Sequence, residues 1–365
     1  MPKILYIGRF ELPDKEATAN RVVANAKLLR ELGYEVTLAG WSDEVLVKDG
    51  WKEQLFFGFR CYEKHKAKTS YEKFKMFSDA NPELELLKNE KYDIIIAYDF
   101  PAVSLKKIMR YCRRNGIRVI CDVSEWYTNK NKNPLFRLVR MYDSYLRMKV
   151  LHKKADGLIV ISRYLQNYYK DCKTVLIPPL VDINDPKWAP ISKVDDGICR
   201  FVYAGWPSKT KERLDVIVNA VSQYIGKAEL NIYGIDEQKY RNMYDVDGSI
   251  AENIHFHGRV SHLETVEAVK SAHFSVIIRE NCRKNDAGFP SKLVESISCG
   301  TAVLTTDISN VKDYVHDGTN GYIVDINSLK DDLMQVVKNK SCVTVNCDEF
   351  DYHIYKEAMC TFLES

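Results

Sequence analysis

The chain has 365 residues, of which 45% are hydrophobic and 28% charged, a composition typical of a globular protein. This length is too great for one ordinary hydrophobic core and predicts two domains of roughly 100–200 residues each. No run approaches the roughly 18 apolar residues of a spanning helix, and the opening MPKILYIGRF predicts a strand rather than a signal peptide. Ten cysteines without a CxxC pair favour buried thiols in a reducing cytosol over disulfides or zinc ligands.

The net charge of +3 conceals a difference between the two halves of the chain. Residues 1–185 carry 33 basic and 24 acidic side chains, whereas residues 186–365 carry 20 and 26. Residues 101–150 alone hold 12 basic and 3 acidic side chains. This distribution predicts that the first half of the chain meets an anionic partner.

In the first half of the chain, six short apolar runs alternate with helical patterns. The runs predict strands at Ile4–Gly8, Val36–Ala39, Asp93–Ala97, Val119–Cys121, Gly157–Ile161 and Val175–Ile177. Helices are expected at Asn20–Leu32 and Ala102–Asn115, followed by Gly33 and Gly116 as left-handed caps. Short apolar strands separated by helices predict a parallel sheet that is covered on both faces.

The same alternation starts again in the second half. Strands are expected at Phe201–Ala204, Glu229–Tyr233, Ile254–His257, Phe274–Ile278, Ala302–Thr305 and Tyr322–Val324. The sequence therefore predicts an α/β protein of two Rossmann-like, doubly wound domains that face each other across a cleft. The domains are expected at 1–180 and 199–345, joined by a proline-containing linker at 181–198. Residues 346–365 are expected to form a helix that packs back on the first domain.

The segment GFPSKLVESISCGTAV, residues 288–303, combines a sharp loop with a charged helix start. Ser291 is expected to cap a helix that ends at Cys299. The exposed amides of the first turn and Lys292 predict an anion site, because a cation there opposes the helix dipole unless an anion compensates it. Glu295 lies one turn further along the same face, where its carboxylate can accept hydrogen bonds from the two hydroxyls of a ribose. The alternative is a surface Lys–Glu pair that contributes little to stability.

This segment resembles the donor-binding motif of the retaining glycosyltransferases of family four, which have the GT-B fold of two Rossmann-like domains. Similar features follow in order along nearly the whole chain, in Tyr203–Lys211, in the HGRV loop of His257–Val260, and in the segments ADGLIVIS and IPPLVD of the first half. The resemblance implies transfer of a sugar from a nucleotide-sugar donor, a UDP-sugar before a GDP-sugar, to a glycan or lipid-linked acceptor. It further implies retention of the anomeric configuration, with neither a metal nor a cofactor.

The resemblance also implies roles for individual residues. Lys292 would hold the donor phosphate and Glu295 the ribose, and the main chain near Val260 would touch the base. The donor site implied in this way, apart from the basic residues discussed next, comprises Gly205, Val260, Asp286, Ala287, Gly288, Phe289, Ser291, Lys292, Leu293 and Glu295.

A basic residue after the first strand of the second domain would grip the diphosphate and stabilise the leaving group. Lys209, Lys211 and Arg213 compete for this role in WPSKTKERLD, and Lys211 aligns best with the family. Lys211 and Lys292 are therefore the expected catalytic cations. The alternative is that the cluster is a solvated helix start.

The sequence departs from the family's pattern in two places that matter for activity. Relatives commonly carry a glutamate that contacts the donor sugar eight residues before Glu295, where this chain has Ala287 with Asp286 beside it. Relatives often carry a histidine near the reacting centre, where this chain reads CDVSEWY. Glu125 is then the preferred catalytic carboxylate, followed by Asp122, and an ordinary helix-capping acid is the alternative.

The Gly-rich first loop of many relatives is also absent from this chain. Asn20 and Arg21 are expected to open the first helix instead. There they would contact the acceptor or the diphosphate.

Four other functions remain open at the level of the sequence. Ala287 and the missing histidine are compatible with a catalytically silent relative that binds a sugar nucleotide or serves as a partner subunit. Asp245 and Asp247 match the DxD pattern of metal-dependent glycosyltransferases, but they follow a helical stretch and are interpreted as a turn. No GxGxxG follows the first strand of either domain, which disfavours a nicotinamide dehydrogenase. A nucleoside-diphosphate-sugar epimerase ranks lower than the silent relative.

Residues 127–156 combine eight basic and two acidic side chains with Leu, Phe, Met and Tyr. This mixture predicts a helix that lies on anionic lipid at the cytoplasmic face of a membrane, near a lipid-linked acceptor. The alternative is a connecting helix whose apolar face packs on its own domain. Nucleic acid is not an expected partner, because the basic residues adjoin apolar ones suited to burial and no recognised module is present.

Overall fold

The chain forms two units, each built on its own β-sheet. The first unit comprises Met1–Leu180 and Tyr352–Ser365, and the second comprises Val181–Asp351. The structure is a computed structural model that describes residues 1–13, 17–45, 50–126, 134–208 and 211–365. Residues 181–198, expected to be a linker, belong to the second unit, and the expected C-terminal segment 346–365 is divided between the two units.

Eight described strands form the sheet of the first unit. They are β1 (Lys3–Gly8), β2 (Glu35–Ser42), β3 (Lys52–Phe56), β4 (Phe59–His65), β5 (Ile94–Tyr98), β6 (Arg118–Val123), β7 (Gly157–Val160) and β8 (Thr174–Leu176). The helices described up to β8 are α1 (Ala17–Glu31), α2 (Ser70–Lys75), α3 (Asn81–Asn89), α4 (Ala102–Arg114), α5 (Pro134–Tyr145) and α6 (Arg163–Tyr168). The strand order is β3-β4-β2-β1-β5-β6-β7-β8, and the pairs are parallel except for β3 with β4.

The predicted parallel core of this sheet is confirmed. All five residues of β5, with the sequence IIIAY, are buried, as expected for a strand covered on both faces. Gly33 and Gly116, the predicted left-handed caps of α1 and α4, have φ values of +86° and +68°. The local sequence therefore predicts where these two helices end.

The sequence analysis missed the hairpin of β3 and β4 at the edge of the sheet. Phe57 and Gly58 connect the two strands with positive φ values of 52° and 76°, as a type I′ turn requires. Both strands mix charged with apolar residues and are only partly buried. A search for apolar runs does not detect strands of this kind.

Among the described residues of the second unit, six parallel strands form its sheet, in the order β11-β10-β9-β12-β13-β14. They are β9 (Cys199–Ala204), β10 (Ala228–Tyr233), β11 (Ile254–Gly258), β12 (Phe274–Ile277), β13 (Ala302–Thr305) and β14 (Gly321–Ile323). The described helices of this unit are α7 (Leu214–Val221), α8 (Glu237–Tyr244), α9 (His262–Ser271), α10 (Arg283–Ala287), α11 (Ser291–Ser298) and α12 (Leu329–Lys338). The strand order reverses between β9 and β12, and doubly wound folds bind ligands at the carboxyl ends of strands beside such a reversal.

The last helix, α13 (Lys356–Glu364), belongs to the first unit. Its residues Met359, Phe362 and Leu363 lie in the hydrophobic core of that unit. The helix is shorter than expected, since residues 347–350 and 352–355 form separate 3-10 turns. Within the described ranges, every helix is too short or too polar to cross a membrane.

Candidate active site

A cavity of about 390 Å³ opens in the second unit at the carboxyl ends of β9 and β10. Its lining residues are Ala204, Gly205, Trp206, Gly234, Arg259, Val260, His262, Thr265 and Glu295. They come from the ends of β9, β10 and β11 and from α9 and α11, where doubly wound sheets bind ligands. The HGRV loop and the charged helix α11 therefore contribute to the same cavity.

Two glycines let the main chain and a lysine approach each other at this cavity. A Cβ atom on Gly234 would lie 2.4 Å from the carbonyl oxygen of Gly205, which is too close for any side chain. Gly205 has a φ value of +122°, and a Cβ atom there would meet Cε of Lys292 at 3.0 Å. The absence of a side chain at Gly205 is therefore what lets Lys292 reach the end of β9.

Lys292, in the first turn of α11, brings its ammonium group to the end of β9. Its Nζ atom lies 2.8 Å from Oε2 of Glu212 and 3.7 Å from the centroid of the Tyr203 ring. An ion pair and a cation–π contact therefore both fix the position of the ammonium group. Burial lowers the pKa of Lys292 to about 8, and Glu212 opposes this shift by stabilising the ammonium. The predicted anion site therefore contains a desolvated cation beside Gly205.

The charged cluster around Lys292 includes two residues that the sequence analysis missed. Glu212 is only 4% exposed and accepts hydrogen bonds from Lys292 at 2.8 Å and from Arg279 at 2.7 Å. The Tyr203 hydroxyl donates a third. Burial alone would raise the pKa of Glu212, but Lys292 and Arg279 outweigh it and lower the pKa to about 2. Two features of the sequence could have indicated these residues. Glu212 is the acid among the basic residues of SKTKERLD, and Arg279 is the arginine that ends the apolar run FSVIIR.

Glu295 lies one turn after Lys292 on α11 and lines the cavity. Burial raises the pKa of its carboxyl group, against the attraction of His262, Lys292 and Lys187. A carboxylate in this position can accept hydrogen bonds from a diol that enters the cavity. The two charged residues of the motif therefore lie at the same end of the sheet.

The basic residues that follow β9 have different surroundings. Lys209 lies outside the described residues, and Lys211 is half-buried. Arg213 is held by Asp215 and Glu280 at 2.8 and 2.9 Å, and these carboxylates raise its pKa. Arg213 would have to leave both carboxylates to grip a diphosphate. The role of Lys211, which the family resemblance favours, stays a prediction.

The start of α11 differs from the expected capping arrangement. The helix begins at Ser291, and its N-cap is Pro290, which makes no side-chain hydrogen bond. The prediction that Ser291 is the N-cap is therefore wrong by one residue. Pro290 has an extended backbone, with φ −75° and ψ 105°, so it is the last non-helical residue, and Ser291 is already the first residue of the helix. The first turn consequently has no side-chain cap of its own.

Three apolar residues predicted in the donor site have buried side chains that pack in the protein interior. Ala287 and Leu293 are completely buried, and Phe289 packs edge-on against Tyr314 and Phe350. None of the three side chains lines the cavity. Donor binding at these three positions, which the main chain could still provide, stays a prediction.

Asp286 and Gly288 are joined to the loop after β13. The amide of Ser309 donates to the Asp286 carboxylate at 3.1 Å, and the Ser309 hydroxyl donates to the carbonyl of Gly288 at 2.6 Å. Asp286 is half-buried, so its substitution for the glutamate of the family stays a prediction.

At the carboxyl ends of the first unit's strands, Asp122 and Arg21 form a buried ion pair. They are 2% and 3% exposed, and Nη2 of Arg21 lies 2.7 Å from Oδ1 of Asp122. The Nη1 group of Arg21 donates to the carbonyl oxygens of Ile177 and Pro178, and the Tyr6 hydroxyl donates to Asp122. The expectations that Arg21 contacts the acceptor and that Asp122 acts on a substrate disagree with this placement, because neither side chain reaches solvent.

Glu125 and Asn20 are exposed, unlike their buried neighbours. Glu125 follows β6, and Asn20 lies in the first turn of α1. Both are accessible to a substrate, so their roles as reacting carboxylate and acceptor contact stay predictions.

Asp245 and Asp247 follow α8. Asp245 is the left-handed C-cap of this helix, with a φ value of 56°, which confirms the interpretation of the DxD match as a turn. In the part of the chain that the structure describes, no three His, Cys, Asp or Glu side chains cluster as metal ligands would.

Family comparison assigns both units. Residues 18–185 match the family model described as Glycosyltransferase Family 4, and residues 199–339 match the model described as Glycosyl transferases group 1. A search among curated proteins finds no match.

Solved structures with the same fold match the whole chain. Sucrose-phosphate synthase from Thermosynechococcus elongatus matches with a TM-score of 0.71 and 13% identity, over 100% of this chain and 98% of that one. The apo form of the lipopolysaccharide outer core galactosyltransferase WaaB matches with 0.64 and 15%, over 99% of each chain. Anabaena HepE in complex with UDP and glucose matches with 0.64 and 14%, over 100% of each. From both family matches and this shared fold, the chain is a glycosyltransferase of the family-four type with the GT-B fold.

Proposed function

We propose that the enzyme transfers a sugar from a nucleotide-sugar donor bound in the cavity of the second unit. The carrying observation is that Glu295 and Gly205 line the cavity, while Lys292, one helical turn before Glu295, places its ammonium against Gly205. HepE, which has the same fold, is described in complex with UDP-glucose, and starch synthase IV from Arabidopsis thaliana is described bound to ADP and acarbose. The HepE complex supports a UDP-sugar as the first candidate, and the GDP-sugar alternative rests on the family resemblance alone.

The transfer step requires that the bond between the anomeric carbon and the diphosphate is weakened. The departing diphosphate gains negative charge, which preorganised donors in a desolvated site stabilise. Lys292 and Lys211 are the proposed cations, assisted by main-chain N–H groups at the start of α11. Because these groups carry the charge themselves, the proposal includes no metal ion and no cofactor.

The proposal includes retention of the anomeric configuration. The acceptor hydroxyl attacks from the face that the diphosphate leaves, so the new C–O bond forms as the bond to the phosphate oxygen breaks. The leaving phosphate oxygen takes the proton of the acceptor hydroxyl. Glu125 is the proposed carboxylate at the reacting centre, and Asn20 is the proposed contact for a glycan or lipid-linked acceptor.

We also propose that α5 brings the first unit to anionic lipid. Four apolar or aromatic side chains on this helix are each more than 60% exposed and follow the spacing of a single helix face: Leu135, Leu138, Tyr142 and Tyr145. Arg137 and Arg140 are exposed on the same helix. An exposed apolar stripe flanked by arginines suits the surface of an anionic membrane.

The remainder of the predicted lipid-binding segment has other surroundings. Phe136, on another face of α5, packs against Phe77 at 5.8 Å between ring centroids. Arg147 is buried between Asp99 and Asp143, and residues 127–133 lie outside the described residues. The proposed membrane contact is therefore confined to the exposed stripe of α5. A location at the cytoplasmic face is part of this proposal and is supported by the ten free thiols of the chain.

Lys292→Ala and Glu295→Ala test the donor site. Isothermal titration calorimetry with UDP, GDP, ADP and CMP identifies the base, and labelled sugar nucleotides report transfer. Each variant should bind UDP at least about tenfold more weakly, the loss expected for a charge-assisted hydrogen bond. Lys239→Ala, which removes an exposed lysine of α8, should bind like the wild type. Unchanged UDP affinity and transfer in both site variants would contradict the proposal.

A further inference from the structure

Glu212 places a negative charge directly beside the proposed phosphate site. Its carboxylate is 5% exposed, with Oε1 bound to Arg279 and Oε2 to Lys292. A carboxylate in this position repels a diphosphate, so direct ligand contact does not explain its presence. Its effect on the position and charge of Lys292 does.

The ammonium of Lys292 meets charged or aromatic groups from four parts of the second unit. Glu212 approaches from the loop before α7, the Tyr203 ring from β9, Arg279 from the end of β12, and Glu295 from α11 itself. An ammonium group has three N–H donors. Glu212 takes one of them, while Nζ lies 3.5 Å from where a Cβ atom on Gly205 would be, at the wall of the cavity.

The carboxylate of Glu212 is shared by two cations. Lys292 and the buried Arg279 both form ion pairs with it, and Glu295 is a second carboxylate that acts on Lys292. Without Glu212 the two cations would lose the carboxylate that pairs them both, and a largely buried lysine relieves such a charge by losing its proton. Arg279 cannot do so, because a guanidinium stays protonated.

The backbone of Glu212 is fixed from two sides. Its amide donates to the carbonyl of Ser208 at 2.9 Å, and its carbonyl accepts from the Tyr244 hydroxyl at 3.3 Å. The carboxylate therefore sits at a fixed point, from which one hydrogen bond sets the direction of the lysine side chain.

We propose that Glu212 is a positioning residue that keeps Lys292 protonated and directed at Gly205, so that the site meets a diphosphate with a charged ammonium at neutral pH. The part of this inference that concerns the ligand rests on the proposed function. Glu212 itself makes no contact with the reacting atoms. It acts through Lys292.

The test uses Glu212→Gln, which keeps the shape and removes the charge, with UDP as the probe. Affinity is measured by calorimetry at pH 6 and pH 8.5. The ratio of the variant's Kd to that of the wild type should be about tenfold larger at pH 8.5 than at pH 6, the factor that corresponds to one unit of pKa. In a Lys292→Arg background, where the side chain cannot lose its proton, the same ratio should not change with pH. Glu237→Gln, on the exposed surface of α8, controls for the loss of a paired carboxylate.

A ligand-free measurement separates this inference from the proposed function. The difference in thermal stability between the wild type and Glu212→Gln should be larger at pH 6 than at pH 9, because a neutral lysine no longer needs an anion. If Glu212→Gln does not fold, Glu212→Asp replaces it, since the shorter carboxylate reaches Lys292 less well. Wild type that binds no sugar nucleotide would contradict the proposed function while this stability difference still reports on Glu212. A Kd ratio and a stability difference that are both independent of pH would overturn the role of Glu212.

Discussion

The carboxyl ends of the two sheets each hold a buried carboxylate, and the two carboxylates are used differently. Asp122 in the first unit has one guanidinium partner, Arg21, whose Nη1 group donates to main-chain carbonyls. Glu212 in the second unit has two cationic partners, one of which reaches the wall of a cavity. The first pair is buried, whereas one cation of the second cluster lies against Gly205, which lines a cavity. Access to a cavity, more than position at the strand ends, therefore distinguishes a candidate site from a structural pair.

The largest expected effect tests whether the first cluster is closed. Asp122→Ala leaves Arg21 buried without its carboxylate, so the free energy of unfolding should fall by about 3–5 kcal/mol. Urea unfolding followed by circular dichroism measures this change. Glu53→Ala, which removes an exposed carboxylate of β3, should cost less than about 0.5 kcal/mol. A loss below about 1 kcal/mol for Asp122→Ala would mean that Arg21 finds water or another anion, and the distinction from Glu212 would fail.

The opening of the second cluster depends on Gly205. In Gly205→Ala the new methyl group meets Cε of Lys292 at 3.0 Å in a backbone conformation with φ +122°. UDP affinity should fall by about tenfold, because the ammonium can no longer reach its position. Calorimetry measures the affinity, and thermal unfolding separates it from a loss of stability.

Gly226→Ala is the matched control for backbone strain. Gly226 also has a positive φ value, +73°, but a Cβ atom there meets nothing within 4 Å. It should lose about 1 kcal/mol of stability and bind UDP normally. Equal UDP affinities in the two glycine variants would show that room for Lys292 is not the function of Gly205.

The sequence predicted the elements of both units but not the partners of these two carboxylates. Strand periodicity and helix caps are local, so the six strands of the second sheet were predicted to within two residues at each end. The pairs Arg21–Asp122 and Glu212–Lys292 join residues that are 101 and 80 positions apart, and no local pattern encodes such a contact. Asp122 was therefore predicted as a reacting group, while Glu212 was overlooked although it precedes a predicted donor residue.

The comparison of the two units extends to their surfaces. In the first unit, the proposed lipid contact uses the exposed stripe of α5. The double variant Leu138→Ser/Tyr142→Ser should reduce sedimentation with phosphatidylserine-containing liposomes by about fivefold, since it removes apolar area from the proposed interface. Leu55→Ser/Tyr71→Ser, a Leu and a Tyr of the same unit that are 73% and 75% exposed, is the matched control. Equal loss in both double variants, or binding that does not depend on anionic lipid, would contradict a specific role for α5.

The smallest expected effect separates the basic residues that follow β9. Arg213 is already bound to Asp215 and Glu280, so a diphosphate would gain its charge only at the cost of two existing ion pairs. Arg213→Ala should therefore weaken UDP binding by less than about threefold, whereas Lys211→Ala should weaken it by about tenfold. Calorimetry distinguishes these outcomes. Both variants are measured in the same buffer at the same salt concentration, because salt screens the interaction of exposed charges with UDP. If Arg213→Ala weakens UDP binding more than Lys211→Ala does, donor binding must rearrange the ion pairs of Arg213 with Asp215 and Glu280. Arg213 would then belong to the cationic part of the donor site, together with Lys292 and Arg279.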